Sequence, residues 1–359
     1  MADRSAIEWT DASWNPIRAR NLKTGRVGWH CEHATTGCEH CYSEGFNKRL
    51  GTGLPFKPGH RKDIEVFLDE EMLTQPLRWK KPRRIFVCSM TDAFADFVTD
   101  EMLDRMFAVM ALATQHTFQV LTKRAKRMRE YLCGDWAHRS YGIAKALPGF
   151  AFGKINIVSG SLPNVWLGVS AERQPEADER IPDLLATPAV VRFVSIEPML
   201  GPITLYSVGG RTWAQDSLTI VHDALAGFRG DQANTAKLDW VIVGGESGRS
   251  ARPMHPDWAR ALRDQCASAK VAFLFKQWGE WAPQIGAGDG WSIADNPEIS
   301  RFDHREWEDG RWSEVFRPMW CDFQDGNYDE AQTVSRIGKK AAGRLLDGVE
   351  HNEFPRVPA

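Results

Sequence analysis

The chain carries a succession of short apolar runs that are continuous rather than alternating. They are "RIFVCSM" (84–90), "FQVLTKR" (118–124), "VWLGVSAE" (165–172), "VVRFVSIEP" (190–198), "LDWVIVGGESG" (238–248) and "AFLFKQWG" (272–279). A strand with one wet face alternates apolar and polar residues, so an unbroken apolar run points to a strand buried on both faces. Helical stretches lie between most of these runs. In "TDEMLDRMFAVMALATQ" (99–115), Thr99 or Asp100 can cap, and Met102, Met106 and Met110 stack at i, i+4 as core packing. The basic helix "AKRMREYL" follows the second run, a helix near 175–187 follows the third, and "PDWARALRDQCASAK" (256–270) precedes the last. Such alternation predicts a parallel sheet covered on both sides. Six strands after residue 80, with a weaker one near Val27–His30, predict an α/β fold with a full or partial parallel (β/α) TIM-type barrel.

Nearly every run ends in polar or charged residues. These are Ser89, Thr91 and Asp92; Thr122, Lys123 and Arg124; Ser170 and Glu172; Ser195 and Glu197; Glu246 and Ser247; Lys276 and Gln277. Parallel barrels build their active sites at the C-terminal ends of the strands, so these positions are expected to share a site.

The barrel is expected to span 1–279, with 280–359 as a C-terminal extension packing on it or capping it. The extension is rich in Trp, and "EDGRW" within it reads as a hairpin turn. Residues 135–163 and 201–237 are polar, weakly periodic and read as insertions. "TVSRIGKKAAGRLLDG" reads as a closing helix stopped by Gly348.

No apolar run reaches the length of a membrane span, and the N-terminus has no apolar core of a signal peptide. The expectation is a cytoplasmic protein with no membrane partner. A net charge of −2 gives no global attraction to polyanions, so any nucleic-acid binding needs a local patch. The 15 tryptophans read mostly as core and wall residues.

Three of the 7 cysteines crowd into "HCEHATTGCEHCYSEGF" (30–46): Cys31, Cys38 and Cys41. In a reducing compartment, clustered thiols suggest a metal before a disulfide. The close pair Cys38 and Cys41 can aim both sulfurs at one centre, and the loop through Gly37 brings Cys31 round. "YSEGFNKRL" reads as a helix whose first N–H groups offset thiolate charge. Two metal chemistries fit. Three thiolates can hold a [4Fe–4S] cluster and leave one iron open for a small molecule. Alternatively, His30, His33 or His40 completes a structural zinc site, which would leave a zinc-stabilised nucleic-acid-binding protein without catalysis. Cys88, Cys133, Cys266 and Cys321 sit singly, Cys88 and Cys266 as ordinary buried thiols.

A three-cysteine loop ahead of a parallel β/α barrel resembles the radical S-adenosylmethionine (radical SAM) superfamily. The spacing here is six then two residues where that superfamily has three then two. Tyr42 follows the third cysteine rather than preceding it, and Gly244-Gly245-Glu246 ends a late strand rather than the second. A fuller resemblance runs through "IEWTDASWNP", "GCEHCY", "LGVSAE", "RFVSIEPMLGPI", "DWVIVGGESG", "ARPMHPDW", "FKQWG" and "KKAAGRLLDG". These blocks look like the phage and bacterial three-Cys-motif family of unknown function, although here "IRARNLKTGRVGWH" lengthens the approach to the first cysteine.

The resemblance implies an iron–sulfur enzyme that cleaves SAM to a 5′-deoxyadenosyl radical, with Cys31, Cys38 and Cys41 as cluster ligands. SAM contacts are then expected from Tyr42, Ser89, Asp92, Lys123, Ser170, Glu172, Ser195, Glu197, Gly245 and Glu246. Arg124, Lys276 and Gln277 are the expected substrate contacts, and no catalytic side chain is assigned. An external electron donor and an accessory protein encoded nearby complete the expected partners. The substrate expectation is a nucleotide or nucleic-acid base. It rests on the basic stretches "RWKKPRR" (78–84), "KRAKRMR" (123–129) and "RIGKKAAGR" (336–344), with Trp79 and Trp136 as stacking surfaces.

Overall fold

The computed structural model describes residues 5–209, 222–229, 232–233, 236–283, 303–308, 310–314 and 333–356. Seven strands form one sheet: β1 (Ala12–Trp14), β2 (Arg84–Val87), β3 (Thr117–Thr122), β4 (Val165–Ser170), β5 (Val191–Ile196), β6 (Trp240–Gly244) and β7 (Ala272–Gln277). They lie in chain order and every neighbouring pair is parallel. The sheet curls into a half barrel whose edges, β1 and β7, do not pair with each other. The six apolar runs are thus all strands of this sheet.

The seventh strand is not the one read from sequence. Val27–Gly28 pairs antiparallel with Ile17–Asn21, which also pairs with Ile64–Leu68, in a separate small sheet. The missing strand is β1, whose three residues are too few to stand out as a run.

Both faces of the large sheet are buried, which is why its strands do not alternate. The outer face is covered by helices α2 (Asp100–Leu112), α3 (Ala125–Leu132), α4 (Trp136–Ala144), α5 (Gln174–Leu185) and α6 (Pro256–Ala269). Thr99 caps α2, its side chain accepting the Met102 N–H, and Met106 and Met110 are buried as core. Helix α4 falls within the segment read as an insertion. Trp136 there packs 5.0 Å from Phe107 and Arg139 bonds Asp104 at 2.7 Å, so α4 is part of the helical layer. Trp136 is therefore a core residue and not a stacking surface.

The concave face holds a second core, in which Trp9, Phe86, Trp166, Phe193, Trp240 and Leu274 pack together. The chain ends fill the gap between the sheet edges. Asp11 donates its N–H to Arg84 O at 2.9 Å, and Phe275 donates to His351 O at 3.0 Å. Phe354 lies 5.0 Å from Trp240 and carries the Arg84 guanidinium 4.1 Å over its ring.

Beyond β7, Trp281–Pro283, Thr333–Arg336, His304–Glu308 and Arg311–Glu314 form an antiparallel sheet. The "EDGRW" hairpin forms as read, with Gly310 at φ +77°. Trp307 seats on Trp258 of α6 at 5.0 Å. The closing helix shrinks to Lys339–Ala342, because Gly338 (φ +89°) and Gly343 (φ +67°) take conformations that a continuing helix excludes. Gly348 instead turns the hairpin between Leu345–Leu346 and Val349–Glu350. In the extension, residues 284–302, 309, 315–332 (Cys321 among them) and 357–359 lie outside the described residues, as do 210–221, 230–231 and 234–235. Among the described residues, no helix is long and apolar enough to cross a membrane.

Trp240 is fully buried at the centre of the concave core. Trp240→Ala is predicted to cost roughly 3–5 kcal/mol, read as a lower urea midpoint with an unchanged m-value.

Candidate functional site

The three cysteines lie in the connection between β1 and β2, on the loop that leads into α1 (Tyr42–Leu50). That loop docks on the C-terminal ends of the large sheet's strands through a series of polar ties. Thr91, beyond β2, donates its hydroxyl to His30 O. Arg124, beyond β3, donates to Glu32 O at 2.7 Å. Thr35 donates to Glu172, beyond β4, at 3.2 Å. Arg252, beyond β6, donates to Thr36 O at 3.0 Å and to Glu39 at 3.1 Å. Gly37 is required at its position, because a Cβ there would stand 2.4 Å from a Glu172 carboxylate oxygen.

Three buried carboxylates carry these ties. Asp92 accepts from the Phe94 N–H (2.9 Å), the Thr122 hydroxyl (2.7 Å), the Lys123 N–H (2.9 Å) and Arg124 (3.2 Å). Glu172 faces Lys123 and, at 3.3 Å, Arg180. Burial raises its pKa, but the two cations outweigh burial and hold it below the usual carboxylate range. Glu246 accepts from the Arg252 backbone at 2.8 Å and from its guanidinium at 2.9 and 2.7 Å, and pairs with His40 at 3.2 Å. There too burial is outweighed, chiefly by the hydrogen bonds from Arg252, and the pKa falls.

The three thiols are half-buried, free and near enough to influence one another electrostatically. Burial, reinforced by Asp92, pushes the Cys31 thiol up to about 12, against the opposing pull of Arg124. Arg124 in turn is raised: burial opposes its charge, but Asp92, Cys31 and Cys38 favour it. Cys38 Sγ accepts the Ala34 N–H at 3.5 Å, Cys41 Sγ lies 2.9 Å from the Ser43 hydroxyl, and Cys41 is the N-cap of α1. Among the described residues, no three His, Cys, Asp or Glu side chains converge as ligands of a single ion. His30, His33 and His40 each pair instead with a carboxylate: Glu32 at 3.4 Å, Glu44 at 2.6 Å and Glu246 at 3.2 Å. Cys88 and Cys266 are buried, and burial raises both thiols.

The remaining expected residues complete the rim. Tyr42 donates its hydroxyl to Ser89 O at 2.7 Å while its side chain stays 62% exposed. Ser195 donates to Glu197 at 3.1 Å, and Lys276 reaches Glu197 at 2.9 Å. Ser170 is buried and its carbonyl accepts from Arg180 at 2.7 Å. Gly245 leaves room for the Trp278 carbonyl, which would stand 1.8 Å from a Cβ. Gln277 donates to Gly245 O at 3.3 Å and Ser247 Oγ at 2.8 Å.

Sequence reasoning passed over Arg180, Arg252 and Thr35, and His40, read there as a candidate zinc ligand, is tied instead to Glu246. Arg180 left a signal: it shares the buried face of α5 with Ala177, Ile181 and Leu184, where a charge implies a buried partner. Arg252 sits in the quoted block "ARPMHPDW", but nothing local ties it to a loop more than two hundred residues earlier.

The chain belongs to the family described as "Protein of unknown function (DUF5131)", which matches residues 4–355. No curated protein and no solved structure matches it.

Glu172→Gln leaves Lys123 and the buried Arg180 without their counter-charge, and is predicted to cost roughly 3–5 kcal/mol at neutral pH. Because the folded pKa of Glu172 lies below its unfolded value, its contribution is full above the ordinary carboxylate range. It is lost as pH falls through the folded value. Denaturation free energies of both chains against pH are therefore predicted to converge on acidification.

Proposed function

We propose that the chain is a radical-SAM-like iron–sulfur enzyme, with Cys31, Cys38 and Cys41 as the ligands of a [4Fe–4S] cluster, acting on a nucleotide or nucleic-acid base. The observation that carries this reading is a loop of three neighbouring thiols tied to the strand ends of a half barrel, with one guanidinium influencing two of them.

The surroundings suit an anionic sulfur cluster. Arg124, the Ala34 N–H and the first turn of α1 all present positive charge or dipole to the sulfurs. His30, His33 and His40, the candidate fourth ligands of a zinc site, are each paired with a carboxylate, which favours the cluster over zinc. When bound, the cluster and SAM supply one-electron cleavage of SAM and an adenosyl radical for hydrogen abstraction.

The chain's own residues divide the remaining work. Asp92, Glu172 and Glu246 have most of their acceptor capacity committed and brace the loop. The Glu197–Lys276 pair is only partly exposed and can exchange its internal contact for a ligand's amino, carboxylate or hydroxyl groups. Ser170, Ser195 and Tyr42 stand beside it as hydrogen-bonding groups.

The test is anaerobic reconstitution with iron and sulfide. Wild type is predicted to bind about four of each per chain and turn brown. Cys38→Ala is predicted to lose the colour with a melting temperature within about 2 °C of the metal-free wild type, as for a surface change of ~0.5 kcal/mol. A colourless wild type holding one zinc, whose removal sharply lowers the melting temperature, would overturn the reading.

A further inference from the structure

Helix α1 is seated with its polar side inward. Its buried residues are Ser43, Glu44 and Asn47. Asn47 is fully buried: its Oδ1 accepts the N–H groups of Trp29 (2.9 Å) and Thr52 (3.1 Å), and its amide donates to Thr52 Oγ1 (2.8 Å) and Leu54 O (3.0 Å). Glu44 pairs with His33 and Lys48. Tyr42, Phe46 and Leu50, spaced i, i+4 and i+8 on one face, are exposed instead, Leu50 by 58%. A surface helix ordinarily turns its apolar stripe to the core, and a contiguous exposed stripe marks an interaction site.

The stripe continues beyond the helix and is flanked by positive charge. The strand Val27–Gly28 runs against the end of α1, where a Cβ on Gly28 would stand 2.5 Å from Gly51 Cα, and Val27 is exposed. Trp29, next in that strand's path, lies 6.0 Å from Phe46. Arg26 and Arg49 are exposed beside these residues. Arg26 donates to Arg49 O at 3.1 Å, and the Arg49 guanidinium stands 6.0 Å from the Phe46 ring. The two arginines belong to a wider bias. The segment Ile17–Leu68, which holds the small antiparallel sheet, the cysteine loop and α1, carries nine basic and five acidic residues, in a chain that has 45 and 47. The rest of the chain is therefore net negative, and the positive charge gathers around the cysteines.

We infer that this face of α1 docks a protein electron carrier whose redox group is ringed by acidic residues. The inference rests on the cluster of the proposed function, which takes its electron from outside the chain. Helix α1 starts at Cys41, so Phe46 and Leu50 stand about 7.5 and 13.5 Å along its axis from that ligand, at ~1.5 Å per residue. Electron transfer slows steeply with distance, and a carrier seated on the stripe is held close to the cluster. The strand-end side of the loop is engaged by Thr91, Arg124, Glu172 and Arg252, which leaves the approach over α1. One electron passes from the reduced carrier to the cluster: the carrier is oxidised, the cluster is reduced, and no bond is made or broken. The chemistry of the face selects this occupant. Leu50 and Val27 offer no ring for a base to stack on, so a nucleic acid gains little there, whereas an apolar centre with aromatic and arginine neighbours suits a protein interface. A second copy of the chain would bring one net-positive face against another, which like charge disfavours.

The experiment follows reduction of the reconstituted full chain by stopped flow, as bleaching of the cluster's visible absorption. The reductants are a prereduced acidic ferredoxin, a prereduced acidic flavodoxin and, separately, dithionite. Leu50→Ser and Phe46→Ser are each expected to slow reduction by a protein carrier roughly fivefold. Arg26→Glu/Arg49→Glu is expected to slow it roughly tenfold at low salt, with the difference from wild type shrinking as salt rises. All three variants are expected to match wild type with dithionite, which needs no docking face. Lys80→Glu/Lys81→Glu, an exposed pair with the same charge change at the opposite end of the sheet, where the chain enters β2, is expected to behave as wild type with every reductant. Carrier rates unchanged in the α1 variants, equal slowing by the arginine and lysine pairs, or a wild-type cluster that dithionite reduces and neither carrier does, would overturn the inference while the cluster reading stands. A wild-type dimer that Leu50→Ser dissociates, seen by sedimentation, would assign the face to a second copy and overturn it likewise. A chain that assembles no cluster would be recognised by its lack of colour before any carrier is added, and would fail the cluster reading and the inference with it.

Discussion

Ion pairs at the strand ends fix the place of the cysteine loop, and the rest of the site depends on that place. Glu172 and Glu246 stand at the ends of two different strands, and both have pKa values lowered by the cations they face. Each reaches the loop, Glu172 through Thr35 and Glu246 through His40 and Arg252. Burial of a carboxylate is costly without such partners. The loop therefore rests on a charged frame that is stable only while both acids and their cations are present.

The frame has a scaffold of matching stiffness. Aromatic rings fill the lower part of the concave face, with Trp9 4.6 Å from Phe86 and Trp240 5.0 Å from Phe354. This packing closes the barrel interior below the polar rim and holds the strands at a fixed curl. The rim itself keeps the looser pair, Glu197 with Lys276, on the side where the sheet is open. Rigid braces on the loop and an exchangeable pair facing the gap are a division suited to a site that holds one group permanently and admits another.

The strands were legible because burial on both faces writes itself into consecutive residues, as in "VWLGVS" and "WVIVG". β1 was not, because its three residues gain their place from register with Ile85–Val87 rather than from their own pattern. The closing helix reads too long because propensity in "KKAAGRLL" favours a helix, while Gly338, at positive φ, bounds its start and Gly343, also at positive φ, stops it after one turn. Within the site, the cysteines and strand-end carboxylates announce themselves by residue type. Their partners do not, since Arg252 and Thr36 are joined only by the fold. Asp92, Glu172 and Glu246 read as cofactor contacts from their position, whereas the structure gives each of them protein partners.

The most direct test of the site is electron paramagnetic resonance of the reconstituted, dithionite-reduced protein, recorded before and after addition of SAM. A cluster with an open iron facing the strand ends should give a reduced iron–sulfur signal whose g-values shift when SAM binds, and that shift should be lost in Lys276→Ala or Glu197→Gln while the unshifted signal remains. A reduced cluster whose signal is indifferent to SAM in the wild-type chain would contradict a site built to present an open iron to that ligand.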